Sequence, residues 1–474
     1  MAGGSVRKIF AQLVQLFVRD IRVLFVVLLV AASVGLTRIE TSAADLGEYT
    51  SPQQINVVQC VGWKESTSPI KQKIVLVNGN PSTEVGLVID KAASKLAALS
   101  FRANAVKSGS AVQVTSEGEG AGSLSSVVVV TGKPKTTTGM AADACHAPSD
   151  DWWFTGIKTQ SGYGARLLLA NPDNADAIVA LTAYTPEGQA QIGSFRRVLI
   201  PANKVRVVDL TQAVPGSNTV SVHVRAVEGR VTPSVQTEVL NGVNRYGRSF
   251  IAPISEVLNT AVIASVRGNS IKQQLVVMPT SEDAIVTVRV HNSDGVFTIA
   301  DGDSKLLSKL QPYAFDLSGA ITGNDASIEV TSDQPVIAAV RSFTKVGKTL
   351  DYEVQSSQSA VRGSVISVIN ASTIANAFEV YATEDSKITV NAAIKGRISW
   401  TREFEIGAGI HQRLKFDQKL AADTVLTFTT NNSGVYISHI MVSGSKALPQ
   451  STVLGLVDPA SQIVEGVRLH LLVS

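Results

Sequence analysis

An uncharged apolar run, Val23 to Leu36 (VLFVVLLVAASVGL), constrains this chain more than any other stretch, and Arg7, Lys8, Arg19 and Arg22 stand before it. Lys and Arg stay on the cytoplasmic side during insertion, so the run is expected to enter a membrane with its N-terminus inside. Nearly all of the 474 residues would then lie outside the cytoplasm. The run is short for a span, which needs about 20 residues, and suits a signal h-region of about 7–15. Against cleavage, the small-residue site Ser42-Ala43-Ala44 lies beyond Arg38 and Glu40, and an amphipathic stretch from Ile9 to Val18 is suited to the inner membrane face. Residues 1–45 are therefore read as a cytoplasmic N-terminus and single-pass anchor at the cell membrane, with secretion after cleavage as the alternative.

Charge and cysteine content narrow the partners. Residues 1–22 carry a net charge of +3, and the rest of the chain balances 38 basic against 38 acidic residues. A neutral ectodomain has no electrostatic footprint for nucleic acid. The two cysteines, Cys60 and Cys145, are expected to form a disulfide in an oxidising compartment.

Beyond the anchor, alternating β-branched segments are separated by turn residues, the pattern of an all-β protein. From Arg166 the chain reads RLLLANP, DAIVALTAYTPEG, SFRRVLIPANK, VRVVDL, TVSVHVRAVEG and SVQTEVL. The same features return from Leu275, with AFDLSG at Ala314 and PVIAAVRSF at Pro335, and again from about Val365. IVLVNGNPSTEVGLVID, from Ile74, marks a weaker earlier copy. A period of roughly 100 residues is the size of one Ig-like sandwich. The expected architecture is a set of tandem Ig-like β-sandwich modules behind one N-terminal membrane segment. The modules are 46–150 (degenerate, stapled by Cys60–Cys145), 151–257, 258–356, and 357–474 with a C-terminal strand. Asp90 to Leu99 (DKAASKLAAL) has the composition of a short helix.

Candidate chemistry fails motif by motif. Gly118 to Gly122 (GEGAG) lacks the helix that a phosphate loop must open, because the strand-like SSVVVV follows. Asp301-Gly-Asp303 lacks the Gly and Glu of a calcium loop. The histidines have no metal-binding spacing, so neither a metal nor a cofactor is expected. In Cys145-His-Ala-Pro-Ser-Asp-Asp-Trp-Trp-Phe-Thr-Gly156, Trp152 and Trp153 would face opposite sides of a strand. One would fill a core, and the other would lie on the surface, open to a ligand or partner, or pack against the first module.

This Cys-to-Trp-Trp-Phe-x-Gly segment, followed by Leu-Leu-Leu-Ala-Asn-Pro and a Val-Asp-Leu strand, resembles an uncharacterised family of exported actinobacterial envelope proteins, over roughly Cys60 to Ser443. The resemblance implies a role in building the cell envelope beside a membrane glycosyltransferase, and carries over no functional residue. The functional expectation is a non-enzymatic, membrane-anchored extracytoplasmic scaffold or accessory factor. The alternative is a glycan-binding module or hydrolase acting on envelope polysaccharide, with Trp152 or Trp153 and the neighbouring Asp150 and Asp151 at its site.

Overall fold

Alternation along the strands sets the architecture. Leu124–Thr131 (LSSVVVVT) buries every second side chain, and Ala177–Thr185 and Ser386–Ile394 begin in the same rhythm. Each strand thus offers one largely apolar face, which must be covered by a second layer. The computed structural model describes residues 55–64, 70–132, 139–241, 244–293, 295–346, 349–369, 373–417, 420–445, 448–459 and 463–464. The chain divides into two units, Met1–Pro52 and Gln53–Ser474. The expected membrane segment falls in the first, outside the described residues. Among the described residues no helix is long and apolar enough to cross a membrane.

The described chain is nearly all β, arranged in several small antiparallel sheets. One strand order recurs four times. The first copy runs through Ile55–Val61, Lys71–Asn78, Val85–Ile89, Ala92–Leu96, Ser100–Ala105, Ala111–Glu117, Leu124–Thr131 and Met140–Ala144. Its first, sixth, third and fourth strands form one sheet, and its fifth, second, seventh and eighth form the other. The two sheets that begin at Asp151–Ile157 and the two that begin at Ser364–Val368 repeat both orders. In the copy that begins at Leu258–Val266, the sixth and seventh strands are one 21-residue strand, Ala326–Val346. Its first part pairs with Ala284–Asn292 and its second with Ser270–Pro279, so the two halves join into one eight-stranded sheet.

Short polar anchors recur with the strands. Asn78 and Asn171 are buried just beyond the apolar centre of the second strand. Each accepts a hydrogen bond on its side-chain oxygen from the backbone N–H two residues on, at 2.9 Å, and donates from its amide to backbone carbonyls of the next connections. Asp209 and Asp316 likewise accept from the N–H groups of Thr211 and Ser318 after the fifth strand. These Asx turns explain why Asn and Asp persist at those points while their surroundings diverge.

The short helix expected at Asp90 to Leu99 is not formed. Asp90 and Lys91 both adopt positive φ, 46° and 73°, and Ile89 pairs directly with Ala92 across them. Two central residues with positive φ make the tight hairpin turn whose twist matches that of the strands it joins. Cross-strand pairing through Val85↔Leu96 therefore overrides the helix-forming composition.

Cys60, on the first strand, and Cys145, just after the eighth, are bonded to each other and buried in the first copy's core beside Trp63 and Val114. The bridge closes a loop with a sequence separation of 85. Replacing both by alanine is expected to lower stability by about 2–5 kcal/mol. Urea unfolding of the variant, compared with the oxidised protein, checks this.

Candidate functional site

The four copies do not follow one another as beads. Their eighth strands, Met140–Ala144, Asn244–Ile251, Thr349–Ser356 and Leu448–Gly455, touch in a closed circuit: first to second, second to third, third to fourth, and fourth to first. Each is the outer strand of its sheet. An outer strand carries unpaired backbone groups, which must find partners where they are buried. Side chains of the neighbouring copy supply them. Ser249 of the second copy bonds both the N–H and the carbonyl of Val354 in the third, at 3.0 and 3.3 Å. Ser356 donates to the Ala252 carbonyl at 2.7 Å, and Glu353 accepts from the Val453 N–H of the fourth copy.

Close approach at this centre requires glycine, most tightly at Gly247. A Cβ on Gly247 would come within 2.2 Å of the Tyr352 backbone nitrogen. Gly247→Ala is therefore expected to destabilise the protein by about 1–3 kcal/mol by forcing the second and third copies apart. The control is Gly86→Ala, where the nearest atom is 3.6 Å away. Parallel thermal and urea melts of the two variants measure the difference.

A cavity of about 370 Å³ lies beside these strands, lined from all four copies, with Asp143 and His146, Trp152, Ser265, Tyr436 and Leu454 on its walls. Behind Ser265 lies a charge network between the third and fourth copies, with largely buried carboxylates and a half-exposed Arg413. The Glu379 carboxylate, fully buried, accepts from the Arg413 guanidinium at 2.6 Å and from the Ser265 hydroxyl. Asp325 shares the same guanidinium at 2.5 Å. Burial and then the adjacent Asp325 carboxylate push Glu379 above the usual carboxylate range. The Ser327 hydroxyl donates to the Ala264 carbonyl and so accepts from His411 Nδ1, at 2.8 Å. That tautomer leaves Nε2 unprotonated toward Glu379, 3.5 Å away. Burial holds His411 neutral, with its pKa lowered to about 4.

The tryptophans expected to flank a site are packed. Trp152 enters the core of the second copy, its Nε1 donating to the Val231 carbonyl at 3.2 Å. Trp153 lies flat on His223, with ring centroids 3.9 Å apart, and also stacks on Tyr184. Around it are Ile254, Met278 and Ile337, so it packs toward the third copy rather than the first. His223 is fixed in turn by Asp151 at 2.9 Å. Asp150 is not drawn into that pair, and its nearest side-chain partner is Ser149 at 3.4 Å.

Residues 101–417 match the Family of unknown function (DUF5719). The chain belongs to this family. The matched stretch runs from the fifth strand of the first copy to just past the fifth strand of the fourth, so the family covers the interlocked copies rather than one sandwich. No curated protein matches the chain. Among solved structures, it is similar to a tetra-tandem repeat from the extending region of a large adhesion protein, at 12% identity over 85% of this chain and 99% of that one, with a TM-score of 0.11. An infectious bursal disease virus structure matches at 7% identity over 82% and 79%, and a DUF4785 family protein from Legionella pneumophila at 12% over 66% and 89%, both with TM-scores of 0.11. Likenesses at that score carry no argument.

The charged residues at the centre were not singled out by sequence. Glu379 follows Phe378 and precedes Val380 in Thr373–Ala382, where alternation points it outward. It is buried because another copy covers the outer face. Glu353 in Thr349–Ser356 is placed differently: its neighbours Tyr352 and Val354 enter the second copy's core, while burial pushes its own carboxyl up from 4.5 to about 7 despite the Val453 N–H bond. A carboxyl raised on folding contributes stability that is fully present below its unfolded pKa and is lost as pH rises through its folded pKa. The wild type should therefore lose stability relative to Glu353→Gln as pH rises from about 4.5 to about 7. Melting temperatures of both proteins across that range give the comparison.

Proposed function

We propose that this chain is a non-enzymatic, membrane-anchored extracytoplasmic scaffold, an accessory factor in assembly of an actinobacterial cell envelope, built from Ig-like sandwiches. The observation that carries this reading is the closed circuit of eighth strands. It fixes the four copies in mutual orientation and leaves outward sheet faces as rigid platforms. A body of this kind suits holding partners at set distances, because its shape is determined by packing and not by a ligand. The Cys60–Cys145 bond fits an oxidising compartment. The basic residues before Val23 to Leu36 fit insertion with the sandwiches outside.

Partners are expected to be other envelope-assembly components at the membrane, a membrane glycosyltransferase among them. The Trp152 and Trp153 rings are engaged within the protein, which weighs against a glycan site built on them. Crosslinking in intact cells, with tagged full-length protein recovered from membranes, tests the proposal. Specific recovery of an envelope enzyme or transporter supports it. Recovery of the chain alone, or chiefly from the medium, overturns it. A scan of buried-site variants adds an independent readout. Asp143→Ala or His146→Ala at the cavity wall should leave cellular function intact if folding is preserved, and abrupt loss of function from either would point to catalysis.

A further inference from the structure

The first and second copies meet over a short apolar contact, Val61 against Leu168 and Ala170. Gln236 ties the joint by donating to the Gly62 carbonyl and accepting from the Lys64 N–H. The outward face of the first sheet continues past that contact. Along it Val61 pairs with Ala111, then Gln59 with Gln113, then Val57 with Thr115. The apolar strip thus gives way to a pair of side-by-side amides and a hydroxyl. Loops of the second copy around Asn174 and Asn203 form the opposite wall, enclosing a groove of about 640 Å³. That volume is in the range of small-molecule sites.

The lining selects a ligand class. Gln59, Gln113, Thr115, Ser110, Asn174 and Asn203 are all neutral donors and acceptors, while Asp90, Lys91 and Lys204 are exposed around them. Gln59 is 5% exposed, and its Oε1 accepts no hydrogen bond among the described residues. A buried amide oxygen without a donor is destabilising until one arrives. An added peptide strand does not meet this need. Both backbone groups of Gln59 already bond His146, its strand is paired with Ala111–Glu117, and that strand's other edge is taken by Val85–Ile89 and Asp90 from Gln113 onward. Recognition must come from side chains. A sugar hydroxyl both donates and accepts, and adjacent hydroxyls match the paired donor and acceptor of a carboxamide.

We propose that the groove between the first and second copies binds a neutral oligosaccharide, with Gln59 and Gln113 at its floor. The inference goes beyond the scaffold reading and holds whether or not the chain is anchored. The test is an array of defined neutral and anionic oligosaccharides probed with the full-length protein, followed by titration of the strongest neutral hit. The expected result is binding of neutral members, weakened about tenfold or more by Gln113→Leu and by Thr115→Val, with melting temperatures unchanged. Thr115→Val keeps the informative comparison should Gln113→Leu misfold. Absence of neutral binders, preference for anionic ones, or unaltered affinity in both variants overturns the proposal. None of these outcomes bears on crosslinking to a membrane partner, so the two readings fail separately.

Discussion

The structure depends on how four outer strands satisfy one another. A lone sandwich ends its second sheet on an edge whose N–H and C=O groups look for a partner, and it must blunt that edge or aggregate. Here the four edges are turned together and closed by side chains. Ser249 takes both backbone groups of Val354, Glu353 takes the N–H of Val453, and Ser356 takes the carbonyl of Ala252. These bonds run from the second copy to the third and from the third to the fourth, so those outer strands are satisfied by their neighbours. That ties each copy to its neighbours, in keeping with residues 53–474 forming one unit across four copies of the strand order.

The circuit uses different chemistry at each joint. Between the fourth and first copies it is apolar, with Val75 and Val77 against Ile366, Val368 and Val425. Between the third and fourth it includes a network of the largely buried Glu379, Asp325 and His411 with the half-exposed Arg413. Buried charge is expensive to desolvate, and replacement by apolar residues is often neutral or stabilising. What such a network does supply is discrimination. Glu379 is paired with Arg413 of its own copy, and the third copy supplies the Ser265 hydroxyl and Asp325, so a neighbour lacking that hydroxyl would leave the carboxylate less satisfied.

The same division explains what could be read from sequence. All-β character was plain, because core-facing positions such as those of Leu124–Thr131 and Ser386–Ile394 alternate. Repetition was visible through the Asx turns at Asn78 and Asn171 and the Asp at 209 and 316, whose roles are local and identical. The helix reading at Asp90 to Leu99 failed because propensity was weighed without the two-residue turn that Asp90 and Lys91 make. The buried carboxylates were invisible for a deeper reason. Glu379 sits where alternation gives an outward side chain, and Glu353 lies between two apolar residues that another copy's core takes up, so only tertiary packing buries either carboxylate.

Outward faces are thus where this fold stores its specificity. Inward faces are mainly aliphatic in every copy, with a few aromatic residues such as Trp63, Trp152, Phe154, Phe378 and Phe428 filling the cores. Outward faces are free to diverge, and each became a joint, an exposed platform or the wall of a groove. The face of the first copy shows all three within one sheet. Val61 seals a joint, Gln59 and Gln113 line the adjoining groove, and the exposed hairpin turn at Asp90 and Lys91 reaches its rim. Moving one register step along a strand pair changes the role of the surface while the core beneath, Val58, Cys60, Val112 and Val114, stays the same. A family held together by its inward pattern can therefore keep its architecture while its members diverge in what they contact.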